Sequence, residues 1–365
     1  MSGCTGGWHG AALSWGWPLT DRLRPGAALL VLACLLAACT GDPGADRLQD
    51  YVARVARPLG SAIPEPAPRV AETLPRWTAL QQSVEPGSLD GLDFLKLRGC
   101  ALQQTVARRN SSLGRLAPPS QRLLLELAFL RQVAPCEVLL RDRGEKALAQ
   151  LLREAALHKQ RQLPRLVFNA TLGSEEFREF WRSANHLGAY PADTSSAVVA
   201  ALEGLENDAA RWLDGDYRAD DAALELRLAA IAAGDGGELL RALGRQAAYL
   251  DAATALLRER SEQGSLCPGG RQPQAAQILR TVTRKYFVGS VQRHAAALEQ
   301  RRHQLLPPLR RLESRLGRAL PSAYSIWRSA REERLAGWQR APKRHVLALQ
   351  ALLGDCFSEF APGPS

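Results

Sequence analysis

Methionine is all but missing, with Met1 the only one in 365 residues, and aromatic side chains make up only 6% of the chain. Leu and Ala dominate instead, and nowhere does the sequence alternate apolar and polar residues for long enough to line one face of a sheet. The composition therefore favours helices. No CxxC occurs, so thioredoxin-like and zinc-ribbon readings have no support. No HExxH, GxSxG elbow, Walker loop or GxGxxG fingerprint occurs either. No metal or cofactor is expected on these grounds, and no residue is singled out by motif for catalysis. Nor is there a repeat at a solenoid period, or a charge block long enough for disorder.

The longest uncharged apolar run is short. Ala27 to Ala38 reads AALLVLACLLAA, preceded by Asp21, Arg22 and Arg24 and ended by Cys39. A helix of twelve residues covers about 18 Å, too little for a hydrocarbon core of roughly 30 Å and suited to the apolar region of a signal peptide. Leu36-Ala37-Ala38-Cys39 resembles the lipobox of bacterial lipoproteins, in which the cysteine is lipidated and becomes the first residue after cleavage. That resemblance implies a signal peptide over 1–38, a lipidated tether over 39–44 and a membrane partner reached through the acyl chains on Cys39. Two or three such chains give persistent attachment. Thr40 follows where Asp would resemble the inner-membrane retention signal, which points to the outer membrane with the body facing the periplasm. The first twenty residues carry no basic side chain and are long for the start of a signal peptide. An upstream start assignment and a real extension both account for them.

Export fits the cysteine count. With Cys4 and Cys34 removed and Cys39 lipidated, Cys100, Cys136, Cys267 and Cys356 remain, an even number in an oxidising compartment. Three pairings are open. Cys100 with Cys136 and Cys267 with Cys356 is favoured, because the first pair flanks helical segments of one subregion and the second ties a loop to the carboxyl end. The 327 residues from Cys39 onward carry 45 basic and 36 acidic side chains, the basic ones nearly all Arg. In a cytoplasmic protein this excess would suggest nucleic acid; outside the cytoplasm an envelope protein or an anionic lipid is the available counter-charge.

Hydrophobic spacing predicts an all-α, disulfide-stapled bundle of antiparallel helices over 45–356, with room for two subdomains and a break near 187–196, and a frayed tail over 357–365. Leu48, Val52, Val55 and Leu59 open it. IPEPAPR at 63–69 makes a stiff connection. Leu92, Leu95, Gly99, Leu102 and Val106 mark one further helix, with Ser88 as its expected cap. Ser120 caps another, which Pro135 ends or kinks. Helices are expected over 144–162, 174–186, 197–213, 219–232 and 238–260. PRLVFNATL at 164–172 reads as strand or loop, TVTRKYFVG at 281–289 as a helix start, and Pro307-Pro308 as a kink or interruption. A hairpin over 322–340 and 343–354 closes the chain.

Two clusters stand out as chemistry. Glu175, Glu179 and His186 form the densest acid and histidine group, a candidate catalytic set. The same acids also suit the positive end of a helix dipole with no catalysis at all. Residues 293–318 hold seven arginines against two glutamates, and Arg301, Arg302, Arg310, Arg311 and Arg315 are candidates for an anionic partner; a solvated helix face is the plainer reading. The other histidines, His158, His294, His303 and His345, show no shared metal spacing. NSSLGR at 110–115 is a second candidate recognition loop, in which Asn110 and Ser111 would equally serve as caps.

CALQQTVARRNSSLGRLAPPSQRLLLELAFL at 100–130, together with LRTVTRKYFVGSVQ at 279–292, resembles the proteobacterial lipoproteins of the domain-of-unknown-function family numbered 3080. The resemblance spans nearly the whole chain after the signal and implies export and lipidation, with no activity to carry over. A noncatalytic binding or scaffolding module is the leading expectation. The alternatives are a periplasmic hydrolase acting on an envelope polymer or lipid, and a carrier of a small or lipidic ligand.

Overall fold

Leu48, Tyr51, Val52, Val55 and Ala56 fall at intervals of three and four, the spacing that gathers side chains on one helical stripe. In the computed structural model α1 spans Pro43–Leu59 and all five are buried. The helix stops where Gly60 turns left-handed at φ 66°; its N–H bonds to Arg57 C=O and that of Ser61 to Ala56 C=O, closing the last turn. The structure describes residues 43–85, 91–183, 187–192 and 194–361. The signal segment, Cys39, Ser88 and His186 lie outside the described residues.

An extended strap, 61–76, follows α1 and leads through the short α2 (Trp77–Leu80) to α3 (Gly91–Lys96) and α4 (Leu102–Asn110). The single helix expected from Leu92 to Val106 is thus two helices. Gly99 breaks it at φ 89°, a conformation open to glycine, and Arg143 packs against that turn while donating to Arg98 C=O at 2.5 Å. The one-turn α5 (Ser112–Arg115) is capped by Ser111, whose Oγ accepts from Gly114 N–H at 3.0 Å.

The longest antiparallel pair is α6 (Pro119–Asp142) with α7 (Lys146–Ala170), joined through Gly144 at φ 80°. Proline changes both expectations here. Pro135 sits inside α6 without ending it, and Pro164 sits inside α7, so PRLVFNATL is helical as far as Ala170 and is neither strand nor loop. Val167 and Phe168 are fully buried there, and core packing of this kind outweighs one missing N–H. Pro118 holds the cap position expected of Ser120, which lies within the first turn. Cys100 is bonded to Cys136, tying the start of α4 to α6, and Cys267 to Cys356.

Six helices complete the bundle: α8 (Glu175–Phe180), α9 (Ala197–Leu213), α10 (Asp221–Ala232), α11 (Gly236–Glu262), α14 (Ser322–Gln339) and α15 (Ala341–Leu353). Between α11 and α14 runs one long rod: α12 (Gln274–Val282), a π-helical stretch (Thr283–Val291) and α13 (Gln292–Arg315). TVTRKYFVG is therefore the middle of a helix, and Pro307-Pro308 does not interrupt it. Leu298, Leu305, Leu309 and Leu312 keep phase across the prolines and are buried throughout. A contiguous core runs from Leu48 to Phe357. The stretch 187–192 is a turn containing the cis Tyr190–Pro191 bond, pinned by Tyr190 Oη donating to Asp235 Oδ2 at 2.8 Å. Among the described residues there is no strand.

Candidate functional site

On α6, Pro119, Arg122, Glu126 and Phe129 recur every three or four residues; on α7, Ala155, Lys159, Leu166 and Asn169 fall at intervals of four, seven and three, the same helical face. The antiparallel packing of the two helices brings these stripes to one side. There α4 contributes Val106, Arg109 and Asn110, and the segment after α2 contributes Gln81 to Val84, which together enclose a cleft of about 790 Å³. Its far wall is fixed by a reciprocal pair: Gln82 N–H donates to Asn169 Oδ1 at 2.9 Å, and Asn169 Nδ2 donates to Gln82 C=O at 2.8 Å. Gly114 and Arg115 at the mouth belong to the NSSLGR segment.

The floor is charged. Lys159 is only 6% exposed, and its ammonium donates to Glu126 Oε2 while lying 4.8 Å from the centre of the Phe129 ring. Arg109 Nε donates to the other carboxylate oxygen, Oε1, at 2.7 Å. Burial pushes the Lys159 amine below the ordinary lysine range, and Glu126 opposes that shift. An ammonium carries three donors. Among the described residues Glu126 supplies the one acceptor Lys159 meets, which leaves two of its N–H groups without an acceptor among those residues. A buried charge is ordinarily paired and hydrogen-bonded, and spare donors beside a cavity are where a bound group would add a partner.

The arginines of residues 301–315 are each drawn into the fold. Arg301, nearly fully buried, donates to Asp235 and to Ser195 C=O; Arg302 pairs with Glu299; Arg310 donates to Glu332. Arg311 and Arg315 converge on Glu206 of α9, at 3.3 and 2.8 Å. These guanidinium groups lock α9, α11 and α14 around α13. Of the acid and histidine group, Glu175 pairs with Arg178, and Glu179 with Arg178 and Arg182. Ser174 caps α8 by accepting from Phe177 N–H, and the six-residue helix ends at Phe180, so it does not run on toward 186.

One histidine is buried completely. His345 lies between Tyr51, whose Oη is 2.5 Å from Nε2, and Thr254, whose Oγ1 is 3.0 Å from Nδ1. Thr254 uses its own proton on Leu250 C=O at 2.6 Å. His345 Nδ1–H therefore donates to Thr254, and bare Nε2 accepts from Tyr51. Burial holds the imidazole neutral, pushing its pKa down to about 3. The relay binds α1, α11 and α15 together beneath Phe287 of the π-helical stretch, whose ring centre is 5.0 Å away.

A second cavity, about 1000 Å³, lies under the strap, with Trp181, Tyr249 and Trp327 among its walls. The strap is fastened at one end by Arg69 on Asp251, by Trp327 Nε1 donating to Glu72 C=O, and by Arg334 donating to Val70 C=O. Its backbone presses on α11 so closely that a Cβ on Gly244 would stand 2.7 Å from Arg69 O.

Architecture and site thus define an all-α, twice-stapled bundle with a cation-floored cleft. The model of a family of proteins of unknown function, DUF3080, matches residues 48–359, and the chain belongs to that family. No curated protein and no solved structure matches the chain.

Proposed function

We propose that this protein is a lipid-anchored, noncatalytic binding module of the bacterial cell envelope. It is held through Cys39 at the outer membrane, faces the periplasm, and takes its ligand in the Lys159 cleft. The anchor and address rest on the lipobox-like LAAC and on two disulfides that suit an oxidising compartment. The observation that carries the binding reading is Lys159, a buried ammonium with donors to spare on the floor of a cavity within the 300–1,000 Å³ range of small-molecule sites. Binding is favoured over hydrolysis because Glu126 already serves two cations, which makes it a poor general base.

The test is mass spectrometry of the natively lipidated protein extracted from envelopes, beside a Lys159→Met variant. Denaturing spectra should show acyl mass on Cys39. Native spectra should show a non-protein adduct on the wild type that is absent from the variant. An unmodified Cys39 overturns the anchor; a wild type without adduct, or one that cleaves an envelope polymer, overturns the binding role.

A further inference from the structure

The lining of the cleft says more than that something binds. Among the described residues four cationic side chains, Arg109, Arg115, Arg122 and Lys159, border it with one carboxylate, Glu126, and that carboxylate is engaged on both oxygens by Lys159 and Arg109. Arg115 and Arg122 meet no carboxylate among the described residues, which leaves a place beside Lys159 for a second anion. Ammonium and guanidinium donors together suit an oxyanion such as a phosphate or carboxylate.

Charge accounts for only part of the surface. Trp77, Val84, Val106, Leu125 and Phe129 border the same cavity, and Trp77 is 44% exposed although an indole gains by burial. At the mouth, Leu113 and Leu116 flank the lining residues Gly114 and Arg115, and they are 81% and 83% exposed. Two exposed leucines adjoining lining residues in sequence add apolar surface near the mouth. An inorganic anion would satisfy the cations and leave this surface wet. A neutral apolar molecule would cover it and leave the Lys159 donors unmet.

Resting on the reading of the cleft as a binding site, we infer that its ligand is an anionic amphiphile, an oxyanion head held by Lys159 with Arg122 nearby and an apolar body lying along Trp77, Val84 and Leu125. A lipid headgroup and a free acid with a short chain share that chemistry.

The experiment is isothermal titration of the natively lipidated protein in nonionic detergent with hexyl phosphate, hexanoate, inorganic phosphate, hexanol and hexyltrimethylammonium. Each methylene that leaves water adds about fourfold in affinity. Hexyl phosphate or hexanoate should therefore bind at least about tenfold tighter than inorganic phosphate, hexanol or the cationic amphiphile. Which of the two acids leads tells a phosphate head from a carboxylate. Lys159→Met should remove that preference. Arg122→Gln, on an exposed side chain whose hydrogen bond runs to Arg115 C=O at the mouth, should weaken it about threefold to tenfold. Inorganic phosphate binding as tightly as hexyl phosphate, or hexanol as tightly as hexanoate, overturns the amphiphile inference while the cleft stands as an anion site or an apolar site. If no probe binds, the inference fails, and the native adduct spectrum shows separately whether the binding role fails with it.

Discussion

Replacing Glu313 with Ala would leave the most deeply buried guanidinium of the bundle without its main partner. Arg331 and Glu313 have side chains 1% and 3% exposed, and the pair is bidentate: Nη1 to Oε1 at 2.8 Å and Nη2 to Oε2 at 2.9 Å. Tyr324 Oη also donates to Glu313 Oε1, at 2.8 Å. Trp181 and Trp327, packed edge to face on each other, both lie against the guanidinium, with ring centres 5.2 and 5.0 Å away, so little water can reach it. Orphaning one partner of a buried pair costs about 3–5 kcal/mol, and the stranded Tyr324 hydroxyl adds about 1 kcal/mol or more. Against this, Glu332 still accepts from Arg331 Nη2 at 2.7 Å. The net expectation is a loss of about 4 kcal/mol, read as the shift in the urea unfolding midpoint of the oxidised protein. Glu332, 35% exposed, should cost only about 1 kcal/mol when changed to Ala. The double variant Glu313→Leu with Arg331→Met should recover most of the loss, because apolar replacement of a whole buried pair is often neutral. A loss for Glu313→Ala no larger than that for Glu332→Ala would refute the reasoning.

His345 makes stability depend on acid. Its folded pKa near 3 lies below the ordinary histidine value of 6.5, so above about pH 6.5 it contributes no pH dependence. Below that the unfolded chain takes the proton first, and stability falls by up to about 1.4 kcal/mol per pH unit until the folded pKa is reached. Unfolding midpoints from pH 7 to 4 should fall more steeply for the wild type than for His345→Gln; equal slopes would sink the idea. Gly244→Ala should push the strap off α11 at a cost of about 1–3 kcal/mol and speed tryptic cleavage after Arg69, and an unchanged cleavage rate would count against the close contact. Removing Cys100–Cys136 or Cys267–Cys356 by paired Cys→Ala changes should cost about 4 kcal/mol each, slightly more for the second because it closes 89 residues against 36, as chemical unfolding would show.

Much of the helical framework was legible because its signals are local. The stripe from Leu48 to Ala56, the Leu ladder from 298 to 312 and the breaks on either side of α11 follow from spacing and turn residues alone. The misread elements share a cause. Pro135 reads as an end or a kink, Pro164 as the start of a strand or loop and Pro307-Pro308 as a kink or interruption, yet each lies in a helix whose neighbours are packed well enough to tolerate a missing N–H. Gly99 falls in phase with a helix interior, whereas it supplies a left-handed turn against which Arg143 packs, 44 residues away in sequence. The cleft was visible only in part. NSSLGR pointed to its mouth, but Glu126 and Lys159 passed as ordinary helical charges. The signal was their phase: Lys159 falls among Leu152, Ala156, Leu163 and Leu166, and Glu126 among Leu123, Leu127 and Leu130, positions where a charge has to be buried. Their pairing needed the α6–α7 register, which no local pattern encodes.

The choice of lysine at that position carries its own argument. Lys and Arg total 47 in this chain and only five are Lys, so genomic preference alone would place Arg at 159. Elsewhere poorly exposed carboxylates are tied by Arg. Asp251 receives Arg69 and Arg344, Glu206 receives Arg311 and Arg315, and Glu313 receives Arg331 as a planar fork matched to both of its oxygens. A guanidinium at 159 would spread five donors over a fixed plane and would engage Glu126 more fully. An ammonium is a compact charge on a flexible stem; it meets Glu126 with one donor and keeps the others free to turn toward the cavity. Lys159→Arg is therefore a sharper probe of the cleft than removal of the charge. It keeps the net charge and the pair with Glu126, and it should hold stability within about 1 kcal/mol. It should nevertheless weaken hexyl phosphate binding about tenfold by filling the floor and redirecting its donors. Retained affinity in that variant would mean that charge alone, without the geometry of the ammonium, suffices for the site.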